Sequence, residues 1–211
     1  MPGDMKLVPL STPEVFELVA SWLARKENYQ WLDFGNGRQI VSPAMLKFMA
    51  QRDQHLMRVY TLPGSDIPVG IVGLNNVDHT SKTATLWGVA GEASFYSRGY
   101  ASIASSKLIG IAFRDHGLRA INTWVVDHNP SLRSVERIGF HFIGRQRLCH
   151  WIDGRPYDRL LFDLLAEEHR ELDVARRSVR RAPQAGASPI PEGRAPAGDR
   201  HSVVVAGAGQ R

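Results

Sequence analysis

The feature that most constrains this chain is the passage from an unbroken β-like run into a long amphipathic helix through a short loop of small residues. Thr83 to Ala90 (TATLWGVA) is apolar and β-branched with no helical break, whereas Ala101 to Phe113 (ASIASSKLIGIAF) places apolar residues at 101, 104, 108, 111 and 112. The first pattern is that of a buried strand and the second that of one helical face. Between them, Glu92 to Ala101 (EASFYSRGYA) therefore opens a helix. The first amides of a helix lack internal partners and sit at the positive end of its dipole, so such a loop binds anions. Gly99 removes the Cβ where backbone must come close to the guest, and pyrophosphate is the natural guest.

A second element follows about thirty residues later. The strand-like Ile121 to Asp127 (INTWVVD) leads into His128 to Phe140 (HNPSLRSVERIGF), and the chain then reads DGRPYDRLLFDLL from Asp153 to Leu165. In this combination the chain resembles the GNAT family of N-acetyltransferases, in particular the subgroup of RimJ- and RimL-like ribosomal-protein N-terminal acetyltransferases. In that family the loop typically reads W-G-K-G-Y-A or R-G-x-G-x-G/A, and the later helix N-x-x-S-x-x-x-x-E-K-x-G-F. The resemblance spans roughly Met5 to Leu165 and is strongest from Thr83 to Phe140.

The residues place the remaining elements. Lys6 to Leu10 reads as a short first strand. Thr12-Pro13-Glu14 caps and opens a helix to about Arg25, and Ser42-Pro43 opens a second in the same way. The stretch from Glu27 to Arg38 reads as an aromatic, glycine-containing loop. Leu56–Leu62 and Pro68–Leu74 read as strands joined at Pro63-Gly64-Ser65-Asp66. Strands at 82–90, 120–126, about 140–151 and 157–165, with a short helix near 131–138, complete one α/β domain. The resemblance implies a mixed, mostly antiparallel central sheet, flanked by helices and splayed at a cofactor cleft.

Composition bounds the class. With 43% hydrophobic residues, 211 residues can bury one substantial core. The single cysteine, Cys149, excludes an internal disulfide. No apolar run approaches the roughly 20 residues that span a bilayer, and no leader-like segment opens the sequence, so a cytoplasmic location without membrane contact is the expectation. The net charge of +5 is concentrated in the last stretch, where eight arginines face four acids from Arg170 onward. That stretch is rich in Pro, Gly, Ala and Ser and lacks aromatics, so residues 1–169 are expected to form the domain and 170–211 a disordered tail. A charge run without stacking residues argues against nucleic-acid binding, although Arg176, Arg177, Arg180 and Arg181 remain the alternative RNA-binding group.

What the resemblance implies for function is transfer of an acetyl or other short acyl group from acyl-CoA to a primary amine. The acceptor is expected to be a small amine or amino-acid-like molecule, with a protein N-terminus as the alternative, and the chain a monomer or homodimer. A non-catalytic acyl-CoA-binding domain is the other reading. The cofactor residues so implied are Val89 and Ala90 at the splayed strand, Tyr96, Ser97, Arg98, Gly99, Tyr100 and Ala101 in the loop, and Asn129 and Arg133 on the later element. Arg137 is either a second phosphate ligand or a solvated helix-face residue. Two positions depart from the family pattern. Val135 stands where many members carry the tyrosine that protonates the thiolate, and Thr85 where many carry a carboxylate. Candidate catalytic residues are therefore His128, a near-neutral base at the end of a central strand, with Asp33 in the aromatic loop and Tyr157. Trp31 and Phe34 either wall the acceptor pocket or staple helices to the sheet. Cys149 reads as a small packed residue rather than a nucleophile. His55, His79, His116 and His141 have no metal-ligand spacing, so no metal is expected.

Overall fold

The structure, a computed structural model, describes residues 4–32, 41–92 and 98–173. Asp33, Phe34, Tyr96, Ser97 and the expected tail from 174 onward lie outside the described residues.

Seven strands form one sheet: β1 (Leu7–Pro9), β2 (Leu56–Thr61), β3 (Pro68–Asp78), β4 (Thr83–Ala90), β5 (Ala120–Val126), β6 (His141–Ile152) and β7 (Arg155–Leu165), in spatial order β1-β2-β3-β4-β5-β7-β6. All neighbours are antiparallel except β4 and β5. Parallel neighbours need a long crossover, which α4 (Tyr100–Asp115) supplies. The other described helices are α1 (Pro13–Leu23), α2 (Lys26–Tyr29), α3 (Pro43–Ala50) and α5 (Leu132–Ile138).

The caps form as the sequence suggests. Thr12 accepts from the Val15 amide and Ser42 from the Met45 amide, each followed by proline in the first turn. Strand alternation divides the apolar residues between two faces. Val72, Leu74, Ala84 and Leu86 join Ile103 and Leu108 of α4 and Val135 of α5 in one core, while Ile71 and Val89 join Trp22 of α1 and Leu46 of α3 in the other.

Three details differ from the sequence expectation. The first helix ends at Leu23, and a short α2 follows where a loop is expected, because buried Asn28 donates from Nδ2 to the Trp22 carbonyl and folds the chain back on α1. β3 continues past Leu74 to Asp78 through a register irregularity, with Asn76 at a φ of 52°. A second irregularity lies between Gln146 and His150 and carries Leu148 at a φ of 50°. Local propensity does not encode such bulges, since each depends on the partner strand.

Beyond β7 the chain stays against α4. The buried Ser106 hydroxyl lies 3.0 Å from His169 Nε2 and accepts from the Leu172 amide, and Glu171 pairs with Arg114 at 3.3 Å. Burial holds the His169 imidazole below its ordinary value, with Glu171 opposing. A histidine whose folded pKa is depressed leaves the unfolded chain to bind the proton first. Its contribution is full above about pH 6.5 and is lost as the pH falls through the window down to the folded value. Equilibrium unfolding should therefore show a loss of stability from pH 7 to pH 5 that is smaller in His169→Gln.

No described helix is long and apolar enough to cross a membrane.

Candidate active site

The central sheet opens where β4 leaves β5. The two strands pair only at Thr83 with Ala120, Ala84 with Ile121 and Thr85 with Asn122, although β4 runs on to Ala90 and β5 to Val126. Just beyond the last pair, Thr123 Oγ1 donates to the Leu86 carbonyl at 3.1 Å, a side-chain bond across the start of the gap. That bond shows which way the backbone of β4 faces. Alternate residues of a strand present their N–H and C=O to opposite neighbours, so Gly88 and Ala90, like Leu86, face the gap. Gly91, of the other parity, donates to the Val69 carbonyl on the β3 side. Val89 consequently turns its backbone to Ile71 and its side chain into the core. Of the two strand residues implied by resemblance, Ala90 borders the gap, and the companion backbone is that of Gly88 rather than Val89. Inward-facing peptide groups without a strand partner fit an extended guest that carries amides of its own.

At its far end β4 is pinned by α1. The Trp22 indole packs against Gly91, where a Cβ would collide with it, and its Nε1 donates to Glu92 Oε1 at 3.0 Å. Arg25 Nη1 donates to the Gly91 carbonyl at 2.6 Å. Arg98 is exposed, and Gly99 caps α4 at a φ of 74° with no side-chain cap. The first turn of α4, from Tyr100 and Ala101 onward, presents the positive end of the helix dipole, which favours an anion. A guanidinium joins it: a Cβ on Gly99 would strike Arg137 Nη1. Arg137 lies on α5 one turn after Arg133, which is exposed. Residues four apart share a helix face, and of the two it is Arg137 whose guanidinium lies against Gly99. Val135, at the tyrosine position, is buried in the core and has no group that ionises.

The other wall is built from β5, β7 and the segment after α2. His128, just past β5, packs against Tyr157 of β7 at 4.4 Å and against Trp31 at 5.2 Å between ring centroids. Its Nδ1 lies 3.2 Å from Asp127 Oδ1. Because β4 and β5 are parallel, this cluster occupies the same end of the sheet as Gly99. Asn129 is engaged in the turn that opens α5, its Oδ1 accepting from the Ser131 amide at 2.8 Å. Two of the three candidate catalytic residues, His128 and Tyr157, thus come together, and Asp33 falls outside the described residues.

Sequence reasoning misses a supporting pair. His150, buried in β6, donates from Nε2 to the Gln30 carbonyl at 2.6 Å, and its Nδ1 accepts from Arg159 Nη2 at 3.0 Å. A guanidinium only donates and a carbonyl only accepts, so the ring is the neutral Nε2–H tautomer. The Arg159 guanidinium also stacks on Trp124 at 3.7 Å. The only sequence signal is the register that sets His150 beside Tyr157 across β6 and β7. Nearby, Asp158 is held below the usual carboxylate range by hydrogen bonds from Arg145 and from the Leu148 amide. The Cys149 thiol donates to the Gln146 carbonyl at 3.2 Å. Among the described residues no three His, Cys, Asp or Glu side chains cluster as a metal site would require.

Residues 4–141 match the family described as Acetyltransferase (GNAT) domain. The chain belongs to the GNAT family of acetyltransferases. As a GNAT protein it is an acetyl-CoA-dependent N-acetyltransferase. No curated protein matches its sequence. Among solved structures, the spermidine N-acetyltransferase from Vibrio cholerae in complex with CoA and spermine is similar at a TM-score of 0.69 and 16% identity, over 78% of this chain and 97% of that one. Mycobacterium smegmatis RimJ in complex with CoA-disulfide is similar at 0.64 and 22%, over 79% and 84%. RimL, a ribosomal L7/L12 alpha-N-protein acetyltransferase, in complex with coenzyme A, is similar at 0.64 and 16%, over 77% and 94%. At these identities the likeness concerns the fold.

The features of this GNAT site fit acetyl-CoA on their own terms: an inward-facing peptide edge for an amide-bearing arm, then a helix start and a guanidinium for phosphates. Gly99→Asp would add a negative charge and a Cβ against Arg137, at a left-handed backbone position that costs a side chain about 1–2 kcal/mol. Acetyl-CoA affinity measured by calorimetry should fall at least about tenfold, while far-UV circular dichroism retains the native spectrum.

Proposed function

We propose that this chain transfers an acetyl or other short acyl group from acyl-CoA to the primary amine of a small or amino-acid-like molecule, by direct attack in a ternary complex. The observation that supports the choice of acceptor is a set of contacts that brace the wall opposite the β4 edge. Lys26 Nζ grips both carboxylate oxygens of Asp153 at 2.7 and 2.8 Å, Gln30 accepts from His150, and Trp31 leans on His128. These contacts tie the segment after α1 to the β6–β7 hairpin. A peptide N-terminus needs an open groove, whereas a small amine is served by a closed wall. The similar structures act on acceptors of both kinds, a polyamine and a ribosomal protein.

Acetyl-CoA, when bound, supplies a thioester carbonyl as the electrophile. Catalysis then needs alignment, polarisation of that carbonyl and proton transfer. Alignment of two reactants in one cleft supplies a large share of the rate. The gap-facing amides of Gly88 and Ala90 are the donors available to the carbonyl oxygen as charge develops there. His128 takes the proton from the acceptor ammonium. With Nδ1 turned to Asp127, the ring keeps Nε2 as its basic atom, and the carboxylate steadies the imidazolium that forms. As nitrogen bonds to the carbonyl carbon and the carbon–sulfur bond breaks, the nitrogen gives up its second proton and the departing thiolate gains one, directly or through His128, Tyr157 or water.

His128→Ala should lower kcat by about ten- to a thousandfold with a shifted pH profile and little change in melting temperature. A raised KM for acetyl-CoA with kcat spared would make the histidine a donor ligand instead. Free-thiol release measured with small amines, amino acids and N-terminal peptides tests the acceptor. Faster turnover of peptides would overturn the small-acceptor reading, and donor binding without thiol release for any amine would identify a non-catalytic domain.

A further inference from the structure

At the end of the sheet remote from the acyl-CoA cleft lies a cavity of about 470 Å³, within the range of small-molecule sites. It is entered beside the C-terminal ends of α3 and α4, whereas the cleft lies at the start of α4. A helix rises about 1.5 Å per residue, so the 16 residues of α4 hold the two roughly 24 Å apart.

The floor is apolar, with Leu56, Leu74, Val77 and Leu118 all buried. The polar lining holds two guanidinium groups, Arg52 and Arg58, and the imidazoles of His55, His79 and His116, against one carboxylate, Asp53. Arg58 is the informative residue. It is half-buried in β2, and burial alone pushes its guanidinium below the ordinary value. Among the described residues its only hydrogen bond is from Nη1 to the neighbouring Met57 carbonyl at 2.8 Å, and no carboxylate comes within ion-pair distance. A partly desolvated guanidinium is costly unless an anion answers it, and its forked donors suit phosphate or carboxylate. His55, also in the lining, is fixed by a hydrogen bond. Trp87 Nε1 donates to Asn75 Oδ1 at 2.9 Å, which identifies that atom as the acceptor. His55 Nδ1, 3.0 Å from the same oxygen, must also donate, and Nε2 is left as the ring's remaining polar atom. Arg52 is steadied over the Phe48 ring at 4.3 Å.

We propose that this cavity is a second ligand site, separate from the acyl-CoA cleft, for a small organic oxyanion whose phosphate or carboxylate pairs with Arg58 over the apolar floor.

The test uses the full chain saturated with CoA, so that the anion cradle at α4 is already filled. Inorganic phosphate and citrate are titrated separately at constant ionic strength, against a chloride control, and histidine ring resonances are followed by NMR. The expected result is a saturable shift confined to the rings of His55, His79 and His116. Saturation by phosphate alone assigns a phosphate ligand, by citrate alone a carboxylate, and by both the shared oxyanion chemistry. Arg58→Met, which keeps the buried stem, should weaken that binding at least about tenfold and leave CoA affinity unchanged. A linear response to both probes, or saturation unaffected by Arg58→Met, overturns the proposal. If Arg58→Met does not fold, the wild-type titration decides, because saturable shifts at other histidines or at none exclude the site.

Discussion

Everything at the proposed site depends on a parallel strand pair that stays joined for only three residues. Where β4 and β5 part, the sheet stops satisfying its own backbone, and the inward edge of β4 becomes a surface that a guest can pair with. The parting is held from both sides. Thr123 bonds to the Leu86 carbonyl at the apex, and Trp22 with Arg25 fixes the outer end of β4 at Gly91 and Glu92. The site therefore begins as a defect in hydrogen bonding that the surrounding packing keeps open.

The same parting explains the relation between the two chemical halves. α4 must cross from the end of β4 to the start of β5, so its first turn necessarily stands beside the gap. Phosphate binding at a helix start and amide pairing along a strand edge thus occur at one place as a result of topology. Arg137 adds a full positive charge to the partial charge of the helix end, and it arrives on α5, which packs on α4.

Much of this architecture was legible in the sequence. The capping threonine and serine with their prolines, the β-branched runs and the α4 periodicity act locally, and each element forms close to where they indicate. What escaped depends on contacts distant in sequence. Arg133 and Arg137 are equivalent on a helical wheel, and only tertiary packing separates them. Val89 and Gly88 are neighbours in one strand, but which faces the gap follows from the parity set by pairing with β3. His150 looks like any strand histidine until Gln30, 120 residues away, supplies the carbonyl that it binds.

The two walls of the cleft are also drawn from different parts of the chain. In the proposed arrangement the donor side draws on β4, α4 and α5, whereas the acceptor side combines the end of β5 and the segment around Lys26 to Trp31 with the β6–β7 hairpin, joined by Lys26 and Asp153 and by Gln30 and His150. On that arrangement, substitution or a change of length in the hairpin reshapes the proposed amine side and leaves the strand edge and helix start proposed for the acyl carrier in place. A lineage carrying this fold is thereby free to exchange one amine for another while its acyl carrier stays constant.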